Sequence, residues 1–426
     1  MTQTSDMFTT EPDTCPVLGP SAGTAATAIP TPEELIARAE AFRPSLVARQ
    51  LETELLTRYP DDVHTAFSEA GFYRIMVPRR YGGYEYGLDT FLKVAMALAR
   101  GCPSTGWMYC LGAAHALAAA TLFGPEAQAG FFETGEFICP AVVAPGGTAR
   151  RTEDGGWEID GAWPYSSGAP YATHLMGHAM IVDDGEPRPL LFVAPRRSFT
   201  VLDDWGDQLG LKGSGSNTIA LDHARIPGHC GLEGAHLSEI VVTDGTPGLT
   251  LHGNPQYGGA PLSSMALEGA ALAVGMAQGA LDAYEEILRT KTTLAPPITP
   301  RMENPDYQRW YGQAVGMVAA AESITLDTVR RWQDLCAAGP AAFTLQEDLK
   351  LALICREAAE LAWRALAEII QPTAGTGSVR SGQRLERIWR DLSTGHSHAG
   401  FAVLLTTVIS RAVAQLSFGV LPGVAA

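Results

Sequence analysis

The feature that most constrains this chain is a change of texture in its middle. From about 136 to 245, short β-rich runs alternate with turn signals, while helical periodicity governs both flanks. A strand block set between two helical blocks predicts an α+β fold that is mainly α. The expected order is an N-terminal helical domain over 31–135, a central β-domain over 136–245 and a C-terminal helical bundle over 246–426. A chain of 426 residues is long enough for two or three such domains and a large core.

Local signals fill in this frame. Residues 1–30 are rich in Thr, Pro, Ala, Ser and Gly and read as a disordered tail. Thr31-Pro32-Glu33-Glu34 supplies a helix cap, a proline at the first helical position and a glutamate three residues on. Turns are expected at Pro44, at Pro60 and around Arg80-Tyr81-Gly82-Gly83, and one apolar helix over Gly106–Phe123. Within the β block, Trp157–Gly161 reads as a strand entering a turn. His174–Val182, Asp183-Asp184-Gly185 and Leu190–Val193 read as a hairpin, and Thr218–Leu221 as a further strand. After about 258, Met265, Leu272, Met276 and Leu288 share a helical stripe, and Thr344-Leu345-Gln346-Glu347 opens another helix with a capping box. Four long helices in that region imply an antiparallel bundle.

Charge and cysteine usage exclude whole classes of function. Lys and Arg total 30 against 46 Asp and Glu, a net charge of −16, which disfavours binding to nucleic-acid phosphates or to an anionic membrane surface. A bilayer span needs about 20 uninterrupted apolar residues. Glu268 breaks the run 261–281 and Arg411 breaks 399–422, so no spanning segment is expected. Seven scattered cysteines without a CxxC pair read as reduced thiols in a cytoplasm and argue against a metal site. The N-terminus lacks the basic start and apolar core of a secretory signal.

Particular motifs then point to one superfamily. Gly71-Phe72-Tyr73-Arg74-Ile75-Met76-Val77-Pro78 followed by Tyr81-Gly82-Gly83 resembles the entry motif of acyl-CoA dehydrogenases. Four further segments resemble one branch of it, the oxygenase components of two-component flavin-dependent monooxygenases such as the p-hydroxyphenylacetate hydroxylases. They are Cys102-Pro103-Ser104-Thr105-Gly106-Trp107 with His115, and Gly161-Ala162-Trp163-Pro164-Tyr165-Ser166-Ser167-Gly168. The other two are Trp205 through Leu209-Gly210-Leu211-Lys212-Gly213-Ser214-Gly215-Ser216, and Arg387 through Arg390-Asp391 to His396-Ser397-His398.

The resemblance implies a reduced flavin, FMN or FAD, with O2 as co-substrate, reacting through a C4a-hydroperoxide to oxygenate a small, phenolic or aromatic substrate. It also implies a separate flavin reductase and a homotetramer, with the apolar helix around 399–422 as a plausible interface. The protein's part in such chemistry is binding, orientation and electrostatics.

Site roles follow from the same resemblance. Ser167, with Ser166 beside it, is expected to accept a hydrogen bond from flavin N5, although a turn serine commonly satisfies its own backbone. Trp163 is expected to wall the flavin ring or simply to fill the sheet. Lys212, Ser214, Gly215 and Ser216 would meet the ribityl chain and phosphate, and Gly375 and Gly377 would touch the flavin of a neighbouring subunit. His115 is the candidate general base toward a phenol, weighed against a satisfied core histidine. His398 and His396 are two apart, so on one helix only one of them should face the flavin, and His398 fits the spacing better. Arg390 and Asp391 read as a structural ion pair.

Departures and absences mark the alternative. The run Tyr257-Gly258-Gly259-Ala260-Pro261 lacks the arginine that this branch often places near the flavin. No G-x-G-x-x-G nicotinamide motif follows a strand. An acyl-CoA dehydrogenase-like thioester oxidase would need a carboxylate base, and many carry it where this chain has His396-Ser397-His398-Ala399-Gly400.

Overall fold

The chain is described by a computed structural model over residues 29–183 and 185–421. The tail reading, Cys15 and Asp184 of the hairpin lie outside the described residues, apart from Ile29 and Pro30 at the tail's end.

Helices α1 (Pro32–Ala48), α2 (Gln50–Leu55), α3 (Asp61–Glu69), α4 (Leu88–Gly101), α5 (Pro103–Ala113), α6 (Ala116–Leu122) and α7 (Pro125–Phe131) form the N-terminal region. At the start of α1, the Glu34 amide donates to Thr31 Oγ1 at 3.2 Å, and the Thr31 amide donates to Glu34 at 2.8 Å. Two end donors are thereby satisfied reciprocally. Pro44 does not turn the chain but sits inside α1. It is exposed there, so the carbonyl it fails to engage is left to water. The single helix expected over 106–123 is broken at 114–115 into α5 and α6, which places His115 at the joint.

The sheet has seven strands in the order β5-β6-β2-β1-β3-β4-β7. These are β1 (Ala141–Arg151), β2 (Trp157–Trp163), β3 (His174–Ile181), β4 (Arg188–Pro195), β5 (Thr200–Val201), β6 (Ile219–Ile226) and β7 (Gly231–Glu233). The β3–β4 hairpin pairs His174 with Pro195 through to Ile181 with Arg188. Only β1 and β3 run parallel; the other neighbours are antiparallel. The sequence reading missed β1, because Pro145, Gly146 and Gly147 depress its strand signal and coincide with its register shifts. It also ended β2 too early: the strand passes Gly161, with a shift of register there, and runs to Trp163.

The C-terminal region holds α8 (Pro247–His252), α9 (Pro261–Thr290), α10 (Pro305–Ala338), α11 (Leu345–Arg364), α12 (Gln371–Ala374), α13 (Arg384–His396) and α14 (Ser410–Ser417). A π-helical turn over Ala365–Ile370 carries α11 into α12, and another over Gly400–Ile409 leads to α14. Four long helical rods result, with α9 packed against α4, α10, α11 and α13. From Thr31 onward the helical and β regions pack as one compact unit.

The helical stretch Arg384–Ser417 contains an 18-residue window apolar enough to cross a membrane, with mean hydropathy 1.5 and 11% of that window buried. The sequence reading missed this because it required an unbroken apolar run, which Arg411 interrupts. What the stretch presents in this chain is an uncovered apolar face, including Val403 and Val408.

Candidate active site

The C-terminal end of β2, the start of α5 and the loop between β5 and β6 meet in one chain of hydrogen bonds. The Trp107 indole N–H donates to Ser167 Oγ at 3.0 Å. Ser167 Oγ lies 2.7 Å from Ser216 Oγ, which lies 2.7 Å from Ser214 Oγ. All four side chains are buried. A hydroxyl can donate once and accept twice. Ser167 accepts from Trp107, so if it donates to Ser216 it keeps one acceptor position for a ligand N–H.

Backbone contacts hold this chain in place. The Gly215 amide donates to the Thr57 carbonyl at 2.8 Å, and the Gly215 carbonyl accepts from the Gly168 and Ala169 amides, each at 3.1 Å. Asp391 of α13 accepts from the Leu211 amide at 2.6 Å and from the Ser104 hydroxyl at 3.1 Å. One carboxylate therefore ties α5 and the 205–217 loop to the bundle. Burial raises its pKa to about 6, against the lowering effect of the Leu211 amide. Gly210 passes so close to α13 that a Cβ there would lie 2.1 Å from the Arg390 carbonyl oxygen.

Arg390 and Asp391 do not pair as expected. Neighbours on a helix point about 100° apart. Arg390 reaches Glu54 at 2.9 Å, Glu386 at 2.5 Å and the Leu209 carbonyl at 2.9 Å, while Asp391 turns inward.

Two expected flavin contacts are corrected. Trp163 has no exposed surface; its indole N–H donates to the His178 carbonyl at 2.9 Å and its ring meets Phe192 edge-on. It fills the sheet rather than walling a ligand. The Ser166 hydroxyl donates to the Trp163 carbonyl at 2.9 Å, so it closes its own turn. Gly375 and Gly377 lie on the α12–α13 connection, where Gly375 packs against the Arg301 guanidinium. Lys212 is half-buried in the 205–217 loop.

The histidines separate cleanly. His396 Nε2 is 3.0 Å from Glu360, and its ring stacks on Trp363 at 4.9 Å. His398 instead meets Trp107 edge-on at 5.6 Å, on the side of the serine chain. Its Nδ1 accepts the Gly400 amide at 3.2 Å, so the neutral ring carries its proton on Nε2. His115 is buried at the α5–α6 joint; its Nδ1 donates to the Cys139 carbonyl at 2.8 Å, and its Nε2 faces Glu268 at 3.9 Å. Burial lowers its pKa to about 4.

Sequence reasoning missed two members of this arrangement. Trp107 was only part of a motif, yet it links Ser167 to His398. Glu268 was read as a break in an apolar run; that lone charge was the signal of a buried carboxyl on α9.

The residues fit a flavin. Its ring needs apolar walls and a few hydrogen-bonding groups at one polar edge. The serine chain supplies hydroxyls in a buried setting, and Thr105 Oγ1 and Asn217 Oδ1, on the two segments that carry Trp107 and Ser216, are buried without a partner among the described residues. Tyr165 and Trp205 stand edge to face at 5.8 Å beside this edge of the sheet, with Tyr165 exposed.

Comparison with known proteins agrees with this geometry. Residues 32–131 match the acyl-CoA dehydrogenase N-terminal domain and residues 267–403 the C-terminal domain. The flavin-dependent monooxygenase oxygenase subunit HsaA of Rhodococcus jostii (strain RHA1) is 29% identical over 367 residues, covering 85% of this chain and 93% of that protein. The oxygenase component of an FADH2-dependent resorcinol hydroxylase from Rhizobium sp. (strain MTP-10005) is 29% identical, covering 84% of this chain and 88% of that protein. The solved structure of XiaF from Streptomyces sp. in complex with FADH2 and glycerol superposes with a TM-score of 0.81 at 28% identity, covering 92% of this chain and 97% of that one. Fold, motifs and relatives agree that the chain belongs to the acyl-CoA dehydrogenase superfamily, within its branch of oxygenase components of flavin-dependent monooxygenases.

Proposed function

We propose that this oxygenase component takes reduced FMN or FAD from a separate reductase and uses O2 to hydroxylate a small phenolic substrate. The observation that carries the reading is the buried chain Trp107–Ser167–Ser216–Ser214 with His398 against Trp107. Bound reduced flavin, with O2, supplies the electrophilic oxygen atom. Ser167 Oγ accepts a hydrogen bond from an N–H at the ring edge, which favours keeping the proton on that nitrogen. His398 Nε2–H offers a donor near the same edge. His115 accepts the substrate's hydroxyl proton at Nε2, which makes the substrate a better nucleophile. Lys212, half-buried in the same loop, is the cation that meets the ribityl and phosphate end in place of the arginine missing from 257–261, because the Ser214 and Gly215 amides are spent on the Leu211 and Thr57 carbonyls.

The uncovered apolar face of the C-terminal helix supports assembly with further copies, and we take the working form to be a homotetramer. The six described cysteines are free and buried, which suits a cytoplasmic protein. The net charge of −16 argues against a nucleic-acid partner.

The test is anaerobic mixing with reduced FMN, and separately reduced FAD, followed by an oxygen pulse under stopped-flow absorbance. Reoxidation slower than that of free flavin, through a transient absorbance distinct from both end states, is the expected result. Reoxidation at the free rate overturns the reading and directs attention to thioester oxidation with an artificial electron acceptor.

A further inference from the structure

Segment 57–64, the loop from α2 into the first turns of α3, touches both arms of the serine chain. One arm is the turn that carries Ser167, which continues as a short helical turn over Ala169–Tyr171. The other is the 205–217 loop that carries Ser214 and Ser216.

The first arm is held at Tyr171. Its ring stacks face to face on His64, with centroids 4.0 Å apart and planes 2° from parallel, and lies 5.2 Å from the Tyr59 ring. Its hydroxyl is 2.9 Å from the Tyr59 carbonyl and 2.5 Å from Asp61 Oδ1, so one proton serves two acceptors. Burial, helped by Asp61, raises the pKa of this phenol and keeps it a donor. The Arg58 guanidinium sits 6.0 Å over the same ring and 3.6 Å from Asp61. The support beneath is buried: the Tyr59 and Tyr73 hydroxyls lie 2.7 Å apart, and Tyr73 Oη is 3.0 Å from His64 Nδ1.

The second arm is held at Thr57, whose carbonyl accepts the Gly215 amide at 2.8 Å. Thr57 has φ +59, a left-handed conformation rare for a β-branched residue, and such backbone persists where its surroundings over-determine it. The loop is pressed onto this support. A Cβ on Gly213 would lie 2.7 Å from the Thr53 carbonyl oxygen, and one on Gly206 would lie 2.8 Å from Thr57 Cγ2. The two arms also meet directly, because the Gly168 and Ala169 amides share the Gly215 carbonyl at 3.1 Å each.

These contacts close a circuit. It runs from Thr57 to Gly215, from Gly215 to Gly168 and Ala169, along the chain to Tyr171, and from Tyr171 back to Tyr59. The 2.7 Å contact between Ser167 Oγ and Ser216 Oγ joins the same two arms. Each link therefore limits the motion of the others. An aromatic cluster that only sealed two regions would not need its hydroxyl acceptors on the segment that also holds Gly215.

We propose that Tyr171 is a positioning residue: latched to Tyr59, Asp61 and His64, it holds Ser167 at the spacing from Ser216 that aims the free acceptor position of Ser167 at bound flavin. Thr57 is the matching hold on the Ser216 side. Tyr171 acts through Ser167 alone. If the latch loosens, Ser167 Oγ drifts off the line of the flavin N–H, and a hydrogen bond weakens steeply with angle. This inference rests on the proposed role of Ser167 and adds the residues that aim it.

The test compares full-length wild type, Tyr171→Phe, Tyr171→Leu, Ser167→Ala, and Tyr171→Phe combined with Ser167→Ala. Hydrogen–deuterium exchange without flavin reads the latch itself. Stopped-flow absorbance after an oxygen pulse reads its consequence, on anaerobic complexes saturated with reduced FMN or reduced FAD and well below each melting temperature. Exchange over 165–172 and 213–217 should rise in Tyr171→Phe, and further in Tyr171→Leu. Tyr171→Phe keeps the stack and loses the hydroxyl bonds; it should speed reoxidation of bound flavin by about threefold, and Tyr171→Leu by about tenfold. Added to Ser167→Ala, Tyr171→Phe should speed reoxidation no further, because the group it aims is gone. Tyr171→Phe keeps the test open should Tyr171→Leu not fold. A merely structural Tyr171 would lower the melting temperature and leave the bound-flavin rate intact, or change that rate by the same factor with and without Ser167. Either result overturns the proposal, as does unchanged exchange in both Tyr171 variants. Faster exchange without faster reoxidation, in a protein whose wild type slows reoxidation, removes the positioning role and leaves the proposed function standing. Wild-type reoxidation at the free rate removes the proposed function and, with it, the aim of Ser167 at flavin.

Discussion

The indole N–H of Trp107 donates to the Ser167 hydroxyl at 3.0 Å, joining helix α5 to the end of strand β2. The bond spends one of the two acceptor positions on Ser167 and fixes where the other points. Trp107→Phe keeps the packing but releases that constraint. It should speed reoxidation of bound reduced flavin by about five- to tenfold, the scale of one neutral hydrogen bond. Ser167→Ala, which removes the acceptor itself, should have a larger effect. Stopped-flow absorbance after an oxygen pulse measures both.

The two C-terminal histidines should behave differently. His398→Ala should accelerate flavin reoxidation, because His398 lies against Trp107. His396→Ala should leave that rate near wild type and instead lower the melting temperature by a few degrees, because it breaks the contact with Glu360 and the stack on Trp363. A reversed pattern would exchange the two assignments.

Gly210 leaves no room for a side chain. A Cβ would meet the Arg390 carbonyl at 2.1 Å, and backbone on both sides must move to relieve it. Gly210→Ala should cost about 1–3 kcal/mol of stability and weaken flavin binding, since the same loop carries Ser214 and Ser216. Denaturant unfolding and flavin titration report the two effects separately.

Acid should destabilise the sheet through His178. This residue is fully buried; Nδ1 donates to the Val142 carbonyl at 3.0 Å and Nε2 accepts the Leu237 amide at 3.0 Å. Protonating Nε2 would set two donors against each other. Burial lowers its pKa from 6.5 to about 4. The unfolded chain therefore binds the extra proton between those values, and stability falls as pH drops from about 6.5 to about 4. The share lost is on the order of 3 kcal/mol. His178→Gln can still donate and accept, so its melting temperature should fall less steeply over that range.

The C-terminal apolar face should control assembly. Val403 is 56% exposed and Val408 38% exposed in this chain. Val403→Asp should shift the protein to smaller species in light scattering, without unfolding the monomer.

Periodicity, caps and motif spacing determined a good deal without coordinates. The three-part order, the hairpin at 174–195 and the capped start of α1 depend on neighbours within a few residues, and the sequence carries such information directly. Candidates in a loop motif, such as Ser167 and Ser216, were visible for the same reason. What the sequence could not supply was the partner of each side chain. Trp163 and Ser166 sit in the same motif as Ser167, yet the sheet encloses one and the turn consumes the other. Asp391 anchors Leu211, which is 180 residues away along the chain, while adjacent Arg390 binds Glu54. His396 and His398 part company because Glu360 and Trp107 lie on different helices. The gap between Glu268 and His115 exists only because α9 and the α5–α6 joint hold their side chains apart. Local chemistry chose the elements; the packing of distant segments decided which polar groups are satisfied by the protein and which are left to meet a ligand.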